Sequence, residues 1–229
     1  MIRSSLRLTT LCAGLLLSAS ALALSLSDLS QRDASGGLKD ALTQGAQIAV
    51  KQLGTPGGFN DNPDVRIELP GKLGKAAKAM KMFGKGEQVD ALEASMNKAA
   101  EAAVPQAQAI LVDAVKKMTV ADAKGILSGG QESATQYLDK TSREQIRAKF
   151  MPIVKQATDQ VGLAKQYNSF AGQAVALGVV DAKSASIENY VTEKALDGLF
   201  EMIGKQEQSI RQNPAQAATS LAKKVFGAL

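Results

Sequence analysis

Apolar residues recur every three to four positions through nearly the whole chain, and no run stands out as strand-like by alternation. That period commits the chain to helices. Leu38, Leu42, Ile48, Val50 and Leu53 share one helical pattern, which Gly54 closes. An Ala-rich pattern runs from Glu87 to Met118 and is interrupted by Pro105, which lacks a backbone N–H and clashes with the preceding turn. Thr119, with Asp122 three residues on, opens a short helix ended by Gly129 and Gly130. Thr141 and Glu144 have capping-box spacing ahead of Ile146, Phe150, Val154, Ala157 and Val161, a helix that Pro152 is expected to bend. A small apolar helix is expected from Leu163 to Gly178. Ser186 then caps a helix carrying Ile187, Val191, Ala195, Leu199, Met202, Ile203 and Ile210. Asn213 and Pro214 open a last helix, docked by Leu221, Val225 and Phe226. Roughly seven or eight such segments with short connectors predict an all-α fold, a single compact multi-helix bundle spanning residues 37–229.

The first 23 residues do not belong to that bundle. Arg3 and Arg7 precede a largely apolar run from Leu8 to Leu17, and Ala19-Ser20-Ala21 and Ala21-Leu22-Ala23 both fit the small-residue cleavage pattern. The run is too short to span a bilayer. A cleaved signal peptide (1–23) is therefore expected, then a polar, Ser-rich tether (24–36), with the mature chain periplasmic or otherwise exported from a bacterium and not transmembrane. Cys12, the sole cysteine, lies inside the apolar run behind Leu11 and does not fit a lipid-attachment site. It leaves with the signal, so the mature chain has no thiol and forms no disulfide.

Composition narrows the chemistry. With no His, no Trp and one Cys, His-dependent triads, Cys–His catalysis, His- or Cys-bound zinc, His-ligated haem and thiolate iron–sulfur ligation have no side chains to use. No cofactor, metal or catalytic residue is assigned. Cleavage removes two basic residues and no acid, which lowers the formal charge from +5 to +3. That mild excess, with 4% aromatic residues, points away from nucleic acid.

One stretch breaks the helical rhythm: "GTPGGFNDNPDVRIELPGKL", Gly54 to Leu73. It has no phosphate-cradling glycine pattern. Asn60, Asn62 and Asp64 alternate like the start of a calcium loop, but Val65 and Gly71 stand where that loop needs its glycine and its closing glutamate. A turn-rich connector leading into a helix at Pro70 accounts for it more simply. From Pro70 to Phe83 the pattern is cationic and amphipathic. Leu73, Ala76, Ala77, Met80 and Phe83 share one face, and Lys75, Lys78, Lys81 and, beyond Gly84, Lys85 the other. The lysines suit an anionic membrane or acidic partner, or a solvated helix back. Asp90, Glu93, Asn97 and Glu101 fall on one stripe, read as a polar outer face more simply than as a hard-cation site. A second stripe carries Tyr190, Glu193, Asp197 and Glu201.

"NPDVRIELPGKL", "LEASMNKAAEAAVPQA", "MTVADAKGIL" and "YVTEKALDGLFEMI…SIRQNP", in that order, resemble the secreted bacterial family catalogued as domain of unknown function 4197. The resemblance runs from about Gly37 to the C-terminus and implies an exported, all-helical protein. It supplies no catalytic residue. It does make the long loop a candidate site, since loops of that length in compact folds commonly carry function.

The expected function is an exported helical binding or interaction protein. Asn60, Asn62, Arg66 and Lys72 would contact an anionic or lipid-like ligand, and Lys75, Lys78, Lys81 and Lys85 an anionic lipid surface or an envelope protein. The alternatives are a carboxylate-based periplasmic hydrolase using Asp90, Glu93, Glu101 or the Glu193–Asp197 pair, and an envelope structural or assembly factor. Mass spectrometry of the exported protein should place its N-terminus at Leu22 or Leu24, and a thiol assay should read zero. Retention or acylation of Cys12 would overturn the export reading.

Overall fold

The computed structural model describes residues 29–69, 81, 82, 84, 86–159, 165, 168 and 186–229. The expected signal peptide, the expected helix at Pro70 with Lys72, Lys75, Lys78, Phe83 and Lys85, and nearly all of the expected Leu163–Gly178 helix lie outside those residues. Seven α-helices are described, with no strand among the described residues: α1 (Gln31–Leu53), α2 (Glu87–Ala103), α3 (Ala107–Lys117), α4 (Val120–Leu127), α5 (Ser133–Asp159), α6 (Ile187–Gln212) and α7 (Ser220–Phe226). The all-α expectation holds.

α1 starts inside the stretch read as tether. Ser30 caps it, its Oγ accepting the Asp33 N–H at 3.0 Å, and the helix passes straight through Gly36 and Gly37. The glycine pair reads as a helix breaker, but here it makes room. A Cβ on Gly37 would lie 2.5 Å from Val225 Cγ2 and 2.8 Å from the Leu221 carbonyl oxygen, so α7 packs directly on the backbone of α1. Asp40 and Gln44 hold the approach to α7 from α1. Asp40 accepts from the Thr219 hydroxyl at 2.8 Å, and Gln44 bonds the Gln216 carbonyl and the Ala218 N–H.

Pro105 divides the Ala-rich helix as expected, with a single 3-10 turn at Val104–Gln106 between α2 and α3. The Thr119 capping box is complete. Thr141 is not a cap: it sits within α5 and its hydroxyl donates back to the Tyr137 carbonyl at 2.7 Å. α5 begins eight residues earlier because its first N–H groups are met from another helix. The Glu207 carboxylate of α6 accepts the Ala134 N–H at 3.1 Å, the Thr135 N–H at 2.8 Å and the Thr135 hydroxyl at 2.8 Å. α5 continues past Pro152, and Ala148, the residue whose carbonyl loses its N–H partner there, is exposed. Asn213 likewise opens only a 3-10 turn at Pro214–Gln216, and Thr219 caps the last helix instead.

α6 is the spine, packing against α1, α2 and α5. Ser186 caps it as expected. The core includes Leu38, Leu92, Met96, Leu138, Ile146, Phe150, Ile187 and Leu196, each essentially inaccessible. Near its C-terminus, Arg211 donates to Glu207 at 2.9 Å and to the Ile126 carbonyl at 3.1 Å, and lies 5.7 Å from the Phe226 ring centroid. One ion pair thus joins α4, α5, α6 and α7. Breaking a buried pair by removing one partner costs about 3–5 kcal/mol, because the survivor stays buried and unpaired. Glu207→Gln should lower the Tm by about 10 °C in a scan at neutral pH. Glu132→Gln, at a surface contact with Gln208, should be close to neutral.

Candidate functional site

The segment following α1 is bound into the fold more tightly than a connector. Phe59, Val65, Ile67 and Leu69 are buried, Phe59 completely, while Arg66 and Glu68 face out. Residues 65–69 therefore alternate like a short strand. The five-residue run "VRIEL" carried that signal, but it is shorter and weaker than the helical patterns on either side.

Getting Phe59 to the core depends on glycines at particular positions. Gly57 has φ +83°, in the left-handed region that side chains disfavour. On α6, a Cβ on Gly198 would lie 2.9 Å from Phe59 Cε1 and 3.1 Å from Val65 Cβ. Gly198 is a floor on which both rings and branches rest. It was not singled out in the sequence, where it reads as an ordinary helical glycine.

The backbone of this segment is satisfied by α2. Asn97 Oδ1 accepts the Ile67 N–H at 2.9 Å, and its Nδ2 donates to the Ile67 carbonyl at 2.9 Å and the Glu93 carbonyl at 2.7 Å. Glu101 Oε1 accepts the N–H groups of both Phe59 and Asn60 at 3.1 Å. Glu93 Oε1 lies 3.5 Å from the Leu69 nitrogen, and its Oε2 takes Lys81 Nζ at 2.8 Å. The stripe read as a polar outer face is thus an inner one: Glu93, Asn97 and Glu101 are buried, and only Asp90 faces out. On the other flank, the Tyr190 hydroxyl donates to the Glu68 carbonyl at 3.0 Å and Lys205 Nζ pairs with Asp64 at 2.6 Å.

The residues nominated as ligand contacts are brought together in part. Arg66 donates to the Asn60 carbonyl at 3.2 Å and approaches Glu93 at 3.9 Å. Asn60 Nδ2 donates to Asp61 at 2.7 Å, and Asn62 Oδ1 accepts the Asp64 N–H at 3.2 Å. Both side chains are thus engaged within the loop itself. Among the described residues no group of three or more acidic, His or Cys side chains is placed to hold a metal ion. Of the surface lysines, Lys81 is described. It bonds Asp90 at 2.8 Å and Glu93 at 2.8 Å, and those hydrogen bonds, Asp90's first, raise its pKa above the ordinary lysine value.

The second acidic stripe meets two arginines absent from the sequence-based nominations. Arg143 donates to Asp197 at 2.6 Å, Glu193 at 3.0 Å and Asp139 at 3.3 Å, and Arg147 donates to Glu193 at 2.7 Å. Burial pushes the Glu193 carboxyl up, but the bonds from Arg147 and Arg143 outweigh it and hold the group below the usual range. A general acid needs the opposite shift.

Two open grooves flank the loop. One, of about 380 Å³, is lined by residues including Pro63, Arg66, Glu68, Tyr190, Asp197 and Glu201. The other, of about 570 Å³, lies between Pro56, Asn60, Asp61 and the Ala94–Ala102 face of α2 and carries Lys98. Neither is enclosed. No described helix is long and apolar enough to cross a membrane.

Fold and site together define an all-helical protein with a polar-clasped loop presented at its surface. The chain belongs to the family described as Protein of unknown function (DUF4197), whose model matches residues 28–227. No curated protein and no solved structure matches it.

Asn97 carries the heaviest structural demand in this site. Asn97→Ala leaves the Ile67 N–H and carbonyl unsatisfied in a buried position, a loss of about 2–4 kcal/mol. Hydrogen exchange should show the amides of residues 65–69 losing protection while those of α5 and α6 hold theirs under native conditions. Uniform loss across the bundle would mean that Asn97 supports the whole core instead.

Proposed function

We propose that this is an exported interaction protein that presents residues 54–69 as a pre-ordered platform to an envelope partner. The observation that carries the reading is the double clasp. Buried Glu93, Asn97 and Glu101 hold the loop from α2, and Tyr190 and Lys205 hold it from α6. Its outward residues, Pro56, Asp61, Pro63, Asp64, Arg66 and Glu68, are exposed on that frame. A surface ordered before binding loses less conformational freedom when a partner arrives. Export remains part of the proposal: the family match begins at residue 28, beyond the expected cleavage sites.

Two other readings lose support. The carboxylates nominated for hydrolysis are engaged with backbone N–H groups, lysine or arginine. The anionic-lipid reading loses Lys81 to Asp90 and Glu93, and each remaining lysine near such a surface contributes about 1 kcal/mol.

A photo-crosslinking residue at Pro63, in the exporting cell, should give a discrete adduct that the same residue at Lys124, exposed on α4, does not. Identical adducts from both positions, or none from Pro63, would overturn the platform.

A further inference from the structure

The outer edge of residues 65–69 has backbone groups without a partner among the described residues. The inner edge is filled: Ile67 exchanges both its hydrogen bonds with Asn97, and the Leu69 N–H faces Glu93. On the outer edge the Arg66 N–H bonds the Asn62 carbonyl, and the Glu68 carbonyl accepts from Tyr190. The Arg66 carbonyl and the Glu68 N–H have no partner among the described residues. In an extended chain these two groups point the same way and flank one residue. That is the pair to which a single residue of a neighbouring parallel strand bonds.

Charge says what kind of segment fits. The adjoining groove is lined by four carboxylates, Asp64, Glu68, Asp197 and Glu201, against two cations, Arg66 and Lys194. Lys205 engages Asp64 at 2.6 Å and Glu201 at 3.1 Å, while Arg143 and Lys194 engage Asp197 at 2.6 and 3.4 Å. Arg66 is turned onto the Asn60 carbonyl and toward Glu93. The Glu68 carboxylate is the one acid of the groove with no cation within ion-pair distance among the described residues. The open backbone pair and the uncompensated charge therefore sit at one position.

We propose that this edge receives an extended polypeptide segment of a partner, bearing a lysine or arginine opposite Glu68. It adds one short strand to the Arg66–Glu68 edge, the common mode in which main-chain bonds supply affinity and alternate side chains supply selectivity. The proposal rests on the platform reading and specifies its partner.

Isotope-labelled mature protein, titrated with acetyl-Val-Lys-Val-Lys-Val-amide, tests it. Amide resonances of Ile67, Glu68, Tyr190 and Gly198 should shift, with weaker shifts at high salt. The peptide with glutamates for lysines should bind about five- to ten-fold more weakly, and Glu68→Lys should weaken the basic peptide by a similar factor, as expected for one exposed charge contact reversed. Glu68 is exposed, so the variant should keep the parent Tm. No shift at these amides, equal binding of the acidic peptide, or unaltered binding to Glu68→Lys would each overturn the proposal. Adducts from Pro63 that persist in Glu68→Lys would keep the platform and discard the basic segment; loss of the Pro63 adducts in the parent protein discards the platform itself.

Discussion

The course of residues 65–69 across the helices depends on how the backbone of Ile67 is satisfied. Ile67 is 1% exposed, so its N–H and carbonyl have no water to turn to. A primary amide carries an acceptor oxygen and a donor nitrogen side by side, and Asn97 uses both on Ile67. The neighbouring contact falls into register. Four residues along a helix advance about 6 Å, close to two residues of extended chain at about 6.7 Å. Asn97 and Glu93 therefore meet Ile67 and Leu69 in turn, running in opposite directions. α2 serves as a strand's partner without being a strand. That lets an extended segment cross an all-helical protein with its inner edge closed.

This arrangement explains which features could be read from the amino-acid sequence. Local signals were legible: the Thr119 capping box, the Ser186 cap and the break at Pro105 depend on residues within a turn of each other. The period of the stripe Asp90–Glu93–Asn97–Glu101 was also legible, but its direction was not. A polar face on a helix looks the same in sequence whether it meets water or a buried backbone. The start of α5 was hidden for a related reason. Its cap, Glu207, lies more than seventy residues away, so the nearer Thr141–Glu144 spacing presented a false beginning. Gly198 and Gly37 were obscure because close approach of another segment leaves no trace at the position that permits it.

α6 shows what polar contacts along a packed helix do. Apolar contacts between helices tolerate sliding, since they are not directional. Directed bonds do not. Tyr190 and Lys205 fix α6 against the loop, Glu193 and Asp197 against α5, and Glu207 against the first turn of α5. A shift of one helical turn would take Tyr190 from the Glu68 carbonyl and Glu207 from the first turn of α5. Such pairs add little net stability over apolar packing and give a packed bundle a single register.

The packing of α7 on the bare backbone at Gly37 links the beginning of the described fold to its end. α1 contributes Asp40 and Gln44 to hold residues 216–219, and Glu207, late in the chain, closes the start of α5. Neither contact exists until residues 207–219 are available. A growing chain can close the loop onto α2 early, but the α7 side of α1 and the first turn of α5 wait for residues made much later. Those two surfaces stay open until residues 207–226 are in place.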